Sequence, residues 1–368
     1  MLFRDMPERD VVSWNVMIAT YAQNGYTDEA WNLFQKMPER NAVSWTAMIA
    51  QCAQDGQFVE AKSLFQEMPE RDIISWNAMI AGYVQNGSFH EALHLFGQMQ
   101  MTDMKPNTVT FVGIISACAN MAGVEHGKKV HGDIIRNGFE SDTTLGNSLI
   151  DMYAKCSSIK TARKVFDKMP ERVVVSWNTM IGGYGMHGCG NEALQLFEQM
   201  QHSGLKPNHV TFLVVLFACS HAGLLDDGWR YFDLMSRHYQ IEPLIEHYCC
   251  MVDLLGRAGF LDEAEDFINK MSVNPNAAIW RSLLGACTVH YNVELGERVA
   301  DLLFESDPNN SAHYVLLSNM YALAGRWDDV EKVRALMKDR SVKKSPGCSW
   351  IEVRSKVHAF TVGDGTQP

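Results

Sequence analysis

Residues 73–107 read IISWNAMIAGYVQNGSFHEALHLFGQMQMTDMKPN, and the spacing of their apolar residues decides the fold. In the first half, four apolar side chains fall at i, i+3, i+4 and i+7: Trp76, Met79, Ile80 and Tyr83. The second half repeats this spacing with Ala92, Leu95, Phe96 and Met99. Each set forms a stripe on one face of a helix. The stretch is therefore predicted to be a helical hairpin, with Gly87 at the turn.

The same pattern recurs along the 368 residues, so the chain is a repeat array. The string Met-Pro-Glu-Arg begins at Met6, Met37, Met68 and Met169. A Ser-Trp-Asn/Thr string begins at Ser13, Ser44, Ser75 and Ser176. Alignment on these strings gives ten units, at 11–41, 42–72, 73–107, 108–142, 143–173, 174–208, 209–244, 245–276, 277–310 and 311–344. Residues 1–10 match the end of a further unit, which predicts that the sequence is a fragment.

One hairpin cannot bury both of its apolar stripes, so neighbouring units must stack. We therefore predict an all-α fold, a right-handed α-solenoid of about ten helix-turn-helix repeats. The last residues, 345–368, instead alternate apolar and polar side chains, including Ile351, Val353, Val357 and Ala359. This alternation favours a short β-hairpin extension that turns at residues 354–356.

Composition excludes several classes of function. The net charge of −11 argues against a nonspecific polyelectrolyte binder of nucleic acid. No apolar run approaches the roughly 18 residues of a membrane span, and the first residues, MLFRDMPERD, lack the features of a signal or transit peptide. Nine cysteines at irregular spacing, with no Cys-x-x-Cys, favour a reducing compartment over a disulfide framework.

A His-Glu-x-x-His string at His90-Glu91-Ala92-Leu93-His94 matches a zinc-peptidase motif. The repeat alignment places these residues at solvent-facing positions that vary between units, so we interpret the match as accidental. Four further candidates for a zinc site share position eleven of their units: Cys52, Cys118, Cys219 and Cys287. Equivalent positions are spaced along a stack and cannot converge on one ion, so these thiols are predicted to be core residues. We expect no metal and no cofactor.

The units resemble pentatricopeptide (PPR) repeats, most clearly in VVSWNVMIATYAQNGYTDEAWNLFQKMPER at 11–40 and VVSWNTMIGGYGMHGCGNEALQLFEQMQHSGLKPN at 174–208. They lack the Trp…Leu-Gly…Tyr signature of tetratricopeptide repeats. Their mixed lengths are similar to the plant PLS class. EHYCCMVDLLGRAG at 246–259 and KSPGCSWIEV at 344–353 resemble the last repeats and the extension of organellar RNA-editing factors. The resemblance implies a repeat array at 11–276, two E-type motifs at 277–344, the start of an E+ extension at 345–368, and no DYW deaminase domain.

The resemblance also implies that each unit reads one base of single-stranded RNA with its fifth and last residues. Carried over by position, the pairs are Asn15 with Asn41, Thr46 with Asp72, Asn77 with Asn107, and Asn178 with Asn208. In this family Asn/Asn favours a pyrimidine and Thr/Asp favours guanine. Apolar residues at position two would clamp the base: Val12, Val43, Ile74 and Val175. The implied target is pyrimidine–G–pyrimidine–x–x–pyrimidine from 5′ to 3′.

Asn147 also occupies a fifth position, but its partner by position is Val173, which offers no side-chain hydrogen bond. We expect the base at that unit to be poorly discriminated. For any single asparagine, an exposed helix cap is an alternative interpretation, because asparagine is a favoured N-cap residue. Four units with polar residues at the same two positions favour base reading.

The resemblance implies no catalytic residue in this chain. It implies an adaptor for C-to-U RNA editing, with a DYW-type deaminase or another editing-complex protein recruited in trans through residues 277–368. The alternatives are a factor for RNA stabilisation, processing or splicing, and, less favoured, a protein-binding scaffold of tetratricopeptide type. No membrane and no small-molecule substrate are expected. The resemblance places the protein in the mitochondrion, with the chloroplast as the alternative.

Overall fold

The computed structural model describes residues 9–344, 347–353 and 356–361, and its helices come in pairs. The first helices of the pairs are α1 (Val11–Gln23), α3 (Ala42–Gln54), α5 (Ile73–Gln85), α7 (Thr108–Asn120), α9 (Thr143–Lys155), α11 (Val174–Met186), α13 (His209–Ala222), α15 (Ile245–Arg257), α17 (Ala277–Val289) and α19 (Ser311–Leu323). The second helices are α2 (Thr27–Lys36), α4 (Phe58–Glu67), α6 (Phe89–Gln100), α8 (Val124–Arg136), α10 (Ile159–Lys168), α12 (Gly190–His202), α14 (Leu225–Asp233), α16 (Leu261–Asn269), α18 (Val293–Ser306) and α20 (Trp327–Asp339). A π-helical turn at Leu234–His238 extends α14.

Each first helix begins at the first residue of one of the ten sequence units. In eight of the ten the reason is a side-chain N-cap: the last residue of the preceding unit is extended, and its side chain accepts a hydrogen bond from a backbone N–H in the first turn of the helix, usually the third. Asp72 caps α5 through the Ser75 N–H at 2.8 Å, and Asn107 caps α7 through the Thr110 N–H at 3.0 Å. The turn inside a unit needs a left-handed residue, and Gly87 supplies it with φ = +75°.

In a unit that carries the Met-Pro-Glu-Arg string, the arginine of the string binds the last carbonyls of the second helix. In 42–72, Arg71 donates from Nε to the Phe65 carbonyl at 2.8 Å and from a terminal nitrogen to the Gln66 carbonyl at 3.1 Å. Its guanidinium carbon lies 5.1 Å from the centre of the Phe65 ring. The arginine therefore satisfies carbonyls that the end of α4 leaves without helical partners.

The helices form two compact units, each with its own core. Among the described residues, the first contains 9–158, 168–170, 350–353 and 356–358, and the second contains 159–167, 171–344, 347–349 and 359–361. Within the first unit α3 packs on α5 and α5 on α7; within the second, α11 packs on α13 and α13 on α15. Successive repeats are joined by edge-to-face aromatic pairs: Phe34–Trp45 and Phe65–Trp76 in the first unit, and Phe166–Trp177 in the second.

The prediction of an all-α helical repeat is confirmed from Val11 to Asp339. After the helices, strands β1 (Cys348–Val353) and β2 (Lys356–Thr361) pair in a two-stranded sheet, which agrees with the alternation in the tail. Of the turn predicted at residues 354–356, residues 354 and 355 lie outside the described residues. None of the helices that the structure describes is long and apolar enough to cross a membrane.

Candidate nucleic-acid interface

The first turn of the first helices carries a row of exposed apolar side chains. These are the predicted base-clamping residues, with exposed fractions of 66% for Val12, 59% for Val43, 61% for Ile74 and 57% for Val175. Packing inside the protein does not explain them, since the same helices bury their tryptophans at position four. The exposed aliphatic residue thus recurs at one position of the repeat.

Next to this row, the proposed base-reading residues meet in pairs. Nδ2 of Asn15 donates to Oδ1 of Asn41 at 3.1 Å, and Nδ2 of Asn77 donates to Oδ1 of Asn107 at 3.2 Å. The corresponding atoms of Asn178 and Asn208 are 3.5 Å apart. Residues 26 to 30 positions apart in sequence are thus brought side by side. In the described part of the chain no hydrogen bond joins Thr46 to Asp72, the fourth pair.

The last residue of each pair also caps a helix, as the alternative interpretation of a single asparagine as an N-cap predicts. Oδ1 of Asn41, Asp72, Asn107 and Asn208 accepts the capping hydrogen bond. That bond uses one side-chain oxygen, so an amide nitrogen or a second carboxylate oxygen remains for another partner. Capping and base reading therefore do not exclude each other.

The fifth-position residues are not caps, and their polar atoms are incompletely satisfied. Oδ1 of Asn15, Oγ1 of Thr46, Oδ1 of Asn147 and Oδ1 of Asn178 are buried and have no hydrogen-bond partner in the described structure. Buried side-chain acceptors are satisfied in most proteins, and an orphaned one costs about 1–3 kcal/mol. Four such atoms thus recur at one position of the repeat, in the first helices of their units.

Sequence reasoning missed two members of the apolar row. Val109 and Val210 hold position two of the long units 108–142 and 209–244, and their exposed fractions are 63% and 38%. Those units lack a readable polar pair, the feature on which the prediction of clamp residues was based. Their position in the repeat is a sufficient sequence signal for these two valines, since the proposed contact with a base ring does not depend on the polar pair of the same unit.

Neither metal-site pattern is built into the structure. His90, Glu91 and His94 are exposed on α6, where they border a groove of about 510 Å³. No group of three or more residues that could hold a metal ion occurs in the portion that the structure describes. The cysteines at position eleven are buried, and burial raises the pKa of the Cys52 thiol to about 11 and that of Cys219 to about 12.

Comparison with known proteins agrees with the repeat geometry. The PPR repeat family model matches 9–42, 71–120 and 172–221, and the PPR repeat model matches 43–73, 147–173, 210–239 and 246–274. The chain belongs to the pentatricopeptide repeat family. The E motif model matches residues 290–352, at the end where the sequence resembled the extension of editing factors.

Among relatives of this PPR protein, the chloroplastic protein CRR2 of Arabidopsis thaliana is 45% identical over 367 residues, which cover 100% of this chain and 47% of that protein. A mitochondrial PPR protein of the same plant is 49% identical over 259 residues, or 70% of this chain and 41% of that protein. The chain thus spans less than half of the length of these relatives. The crystal structure of PPR10 from maize matches 92% of this chain and 55% of that one, with a TM-score of 0.56 and 18% identity, and shows the same fold.

Proposed function

We propose that this PPR protein binds single-stranded RNA along the N-terminal turns of its first helices, one base per unit. The observation that carries the proposal is the set of buried, unpartnered oxygens at position five of units 11–41, 42–72 and 174–208, each in a unit with an exposed aliphatic residue at position two and a helix-capping side chain as its last residue. An unpaired base offers an apolar ring face and a polar edge. The aliphatic residue would contact the ring, and the edge would supply the missing hydrogen bonds.

The proposed target is pyrimidine–G–pyrimidine–x–x–pyrimidine, with the first base at unit 11–41. The guanine would lie at unit 42–72, where Oδ1 of Asp72 is engaged by the Ser75 N–H and the other carboxylate oxygen remains to accept. The Watson–Crick edge of guanine carries N–H donors, which suit a carboxylate because it only accepts. Oγ1 of Thr46 can donate to a carbonyl of the base and gain the partner that it lacks.

Fluorescence polarisation with short labelled RNAs tests this proposal. One RNA carries the proposed target, and the control replaces its guanine with cytosine. We expect the protein to prefer the first RNA by about 5-fold or more, since a good polar pair discriminates by about 1–3 kcal/mol. Thr46→Asn with Asp72→Ser should remove that preference while RNA binding remains. Absence of binding to any single-stranded RNA at low salt would refute RNA recognition and promote a protein-binding scaffold.

We further propose that RNA binding serves C-to-U editing in an organelle, with a DYW-type deaminase supplied in trans. The match of residues 290–352 to the E motif supports this step, and names of relatives as mitochondrial or chloroplastic support an organelle. Of the two, we propose the mitochondrion first. The chain itself is proposed to contribute recognition and recruitment rather than catalysis. A role in RNA stabilisation, processing or splicing is the alternative.

A bacterial reporter distinguishes editing from the alternative. The reporter transcript carries the target element upstream of a cytidine and is expressed with this protein and a DYW-type deaminase. We expect conversion of the cytidine only when protein, deaminase and element are all present, and loss of conversion with the Thr46→Asn/Asp72→Ser variant. Tight binding of the element without conversion would favour the alternative.

A further inference from the structure

A groove of about 430 Å³ lies between α15 and α17, the first helices of units 245–276 and 277–310. Its lining includes Arg281, the fifth residue of its unit, and Gly285, one turn further along α17. A Cβ atom at position 285 would meet nothing within 4 Å, so the groove has open space there. The fifth residues of the other nine units are uncharged, so Arg281 is the single cation at that position of the array.

The guanidinium of Arg281 has no anionic partner within the chain. Arg281 is partly buried, yet within residues 9–344, all of which the structure describes, no hydrogen bond or ion pair engages it. Two carboxylates near it have other partners. Asp253, on the same groove, accepts from Nε of Arg257 at 2.8 Å. Asp307, within electrostatic reach of Arg281, accepts from Nδ2 of Asn310 at 2.9 Å. The guanidinium therefore keeps its five N–H donors for a group that is not part of the chain.

The surroundings of Arg281 suit a phosphate better than a base. Position two of its unit is Ala278, which is partly buried and too short to cover a base ring as proposed for Val175. The planar fork of a guanidinium matches two oxygens of a phosphate. The charged side chains that line the groove, Asp253, Arg257 and Arg281, sum to +1, whereas the whole chain carries −11. The groove therefore attracts an anion although the protein is acidic.

The place of Arg281 in the repeat indicates which phosphate it meets. With the first base of the proposed target at unit 11–41, unit 245–276 meets the eighth nucleotide and unit 277–310 the ninth. We propose that Arg281 binds a backbone phosphate of the RNA 3′ of the eighth nucleotide, and that the groove holds the ninth nucleotide without reading its base. The inference rests on the proposed RNA-binding function and extends the RNA contact into residues 277–310.

The length of the RNA tests this inference with the unaltered protein. Polarisation measurements compare an RNA of eight nucleotides, which carries the target and ends at unit 245–276, with the same RNA extended to ten. We expect the longer RNA to bind about 3- to 10-fold more tightly, the effect of one partly exposed charge-assisted contact. Equal affinities would overturn the inference alone. No binding of either RNA at low salt would overturn the proposed function and the inference together.

Arg281→Gln removes the charge and should abolish the advantage of the longer RNA, while the affinity for the shorter RNA stays within about 2-fold. With the longer RNA, the slope of log affinity against log salt concentration should become less negative by about 0.7, the value for one phosphate contact on a single strand. The matched control is Arg237→Gln, which removes a charge from the π-helical turn after α14, where the side chain of Arg237 is 81% exposed. The control should change neither quantity. A full advantage of the longer RNA in Arg281→Gln would refute the contact.

Gly285→Leu tests the groove separately, because leucine would fill the open space and is favoured over glycine inside a helix. We expect a folded variant by circular dichroism, with the advantage of the longer RNA lost and the affinity for the shorter RNA kept. A retained advantage would refute the placement of the ninth nucleotide in the groove. Longer RNAs that differ only in the ninth base should bind within about 2-fold of one another. A preference for guanine there would refute the phosphate contact, since arginine also pairs with the edge of guanine.

Discussion

Replacement of Gly82 by alanine should reveal how closely the first helices of neighbouring repeats approach. A Cβ atom at position 82 of α5 would lie 2.2 Å from Cβ and 3.3 Å from Cα of Ala53 in α3. Carbon atoms in contact are about 3.5–4.0 Å apart. Ala53 is fully buried and has no side-chain torsion that could relieve the overlap. The two helices would therefore have to separate by more than about 1 Å.

Two opposing effects determine the free energy of unfolding of Gly82→Ala. Alanine is favoured over glycine inside a helix by about 1 kcal/mol. Overpacking of a closed core costs about 1–3 kcal/mol, and the upper part of this range applies because backbone must move. We expect a net loss of about 1–2 kcal/mol.

Gly97→Ala is the matched control, since Gly97 lies inside α6 and a Cβ atom there would meet nothing within 4 Å. It should gain about 0.5–1 kcal/mol from helix propensity alone. Urea denaturation followed by far-UV circular dichroism would measure both variants against the unaltered protein. A midpoint for Gly82→Ala at or above that of the unaltered protein would refute the close approach of α3 and α5.

Two further predictions concern the arginine at the end of α4 and the buried thiols. Arg71→Ala should lower the free energy of unfolding by about 0.5–1.5 kcal/mol, because it removes the donor of two carbonyls at the end of α4 at a site that water can reach. Urea titration against Arg71→Lys, which lacks the forked guanidinium, would show whether the forked geometry matters. Burial raises the pKa of Cys52 to about 11 and that of Cys219 and Cys287 to about 12, so these thiols ionise in the unfolded chain before they ionise in the folded protein. The free energy of unfolding should therefore be unaffected by these thiols below pH about 9 and fall towards pH 11–12, as thermal melts over that range would show. Mass spectrometry should find the same thiols unalkylated by iodoacetamide at pH 8 unless urea is added.

The fold was predictable because every repeat carries its own local signals. A stripe of apolar residues, a glycine at the turn and a polar residue before each first helix are all visible in 73–107, and each recurs at a fixed distance. The glycines at the turns indeed adopt a positive φ, as at Gly87 and Gly188. Where the pattern of one unit is ambiguous, the neighbouring units resolve it. The unit boundaries predicted from the sequence therefore coincide with the first residues of the first helices.

The hydrogen-bond networks of the candidate site could not be predicted in the same way. Thr110 and Thr211 are the same residue type at the same position, yet Thr110 donates to the fifth-position Asn77, whereas Thr211 donates to the last-position Asn208. Which acceptor the hydroxyl meets depends on shifts of less than 1 Å between adjacent helices: Nδ2 of Asn77 is 3.2 Å from its partner and that of Asn178 is 3.5 Å. No sequence pattern encodes displacements of this size.

Under the proposed function, the last residue of a unit both caps a helix and reads a base, and this double use would limit the bases that it can read. A residue at that position must cap the next helix, and loss of a cap costs about 0.5–2 kcal/mol, so the reading residue is confined to short polar side chains. Val173 and Leu244 make no side-chain cap. There the third residue of the next helix still makes the hydrogen bond that it makes in capped units, with Ser176 accepting from the Val173 N–H at 3.3 Å and His247 from the Leu244 N–H at 3.0 Å. The first helices that follow units without a readable pair therefore still begin at the same position. A side chain outside the proposed pair accepts the hydrogen bond of the backbone N–H there.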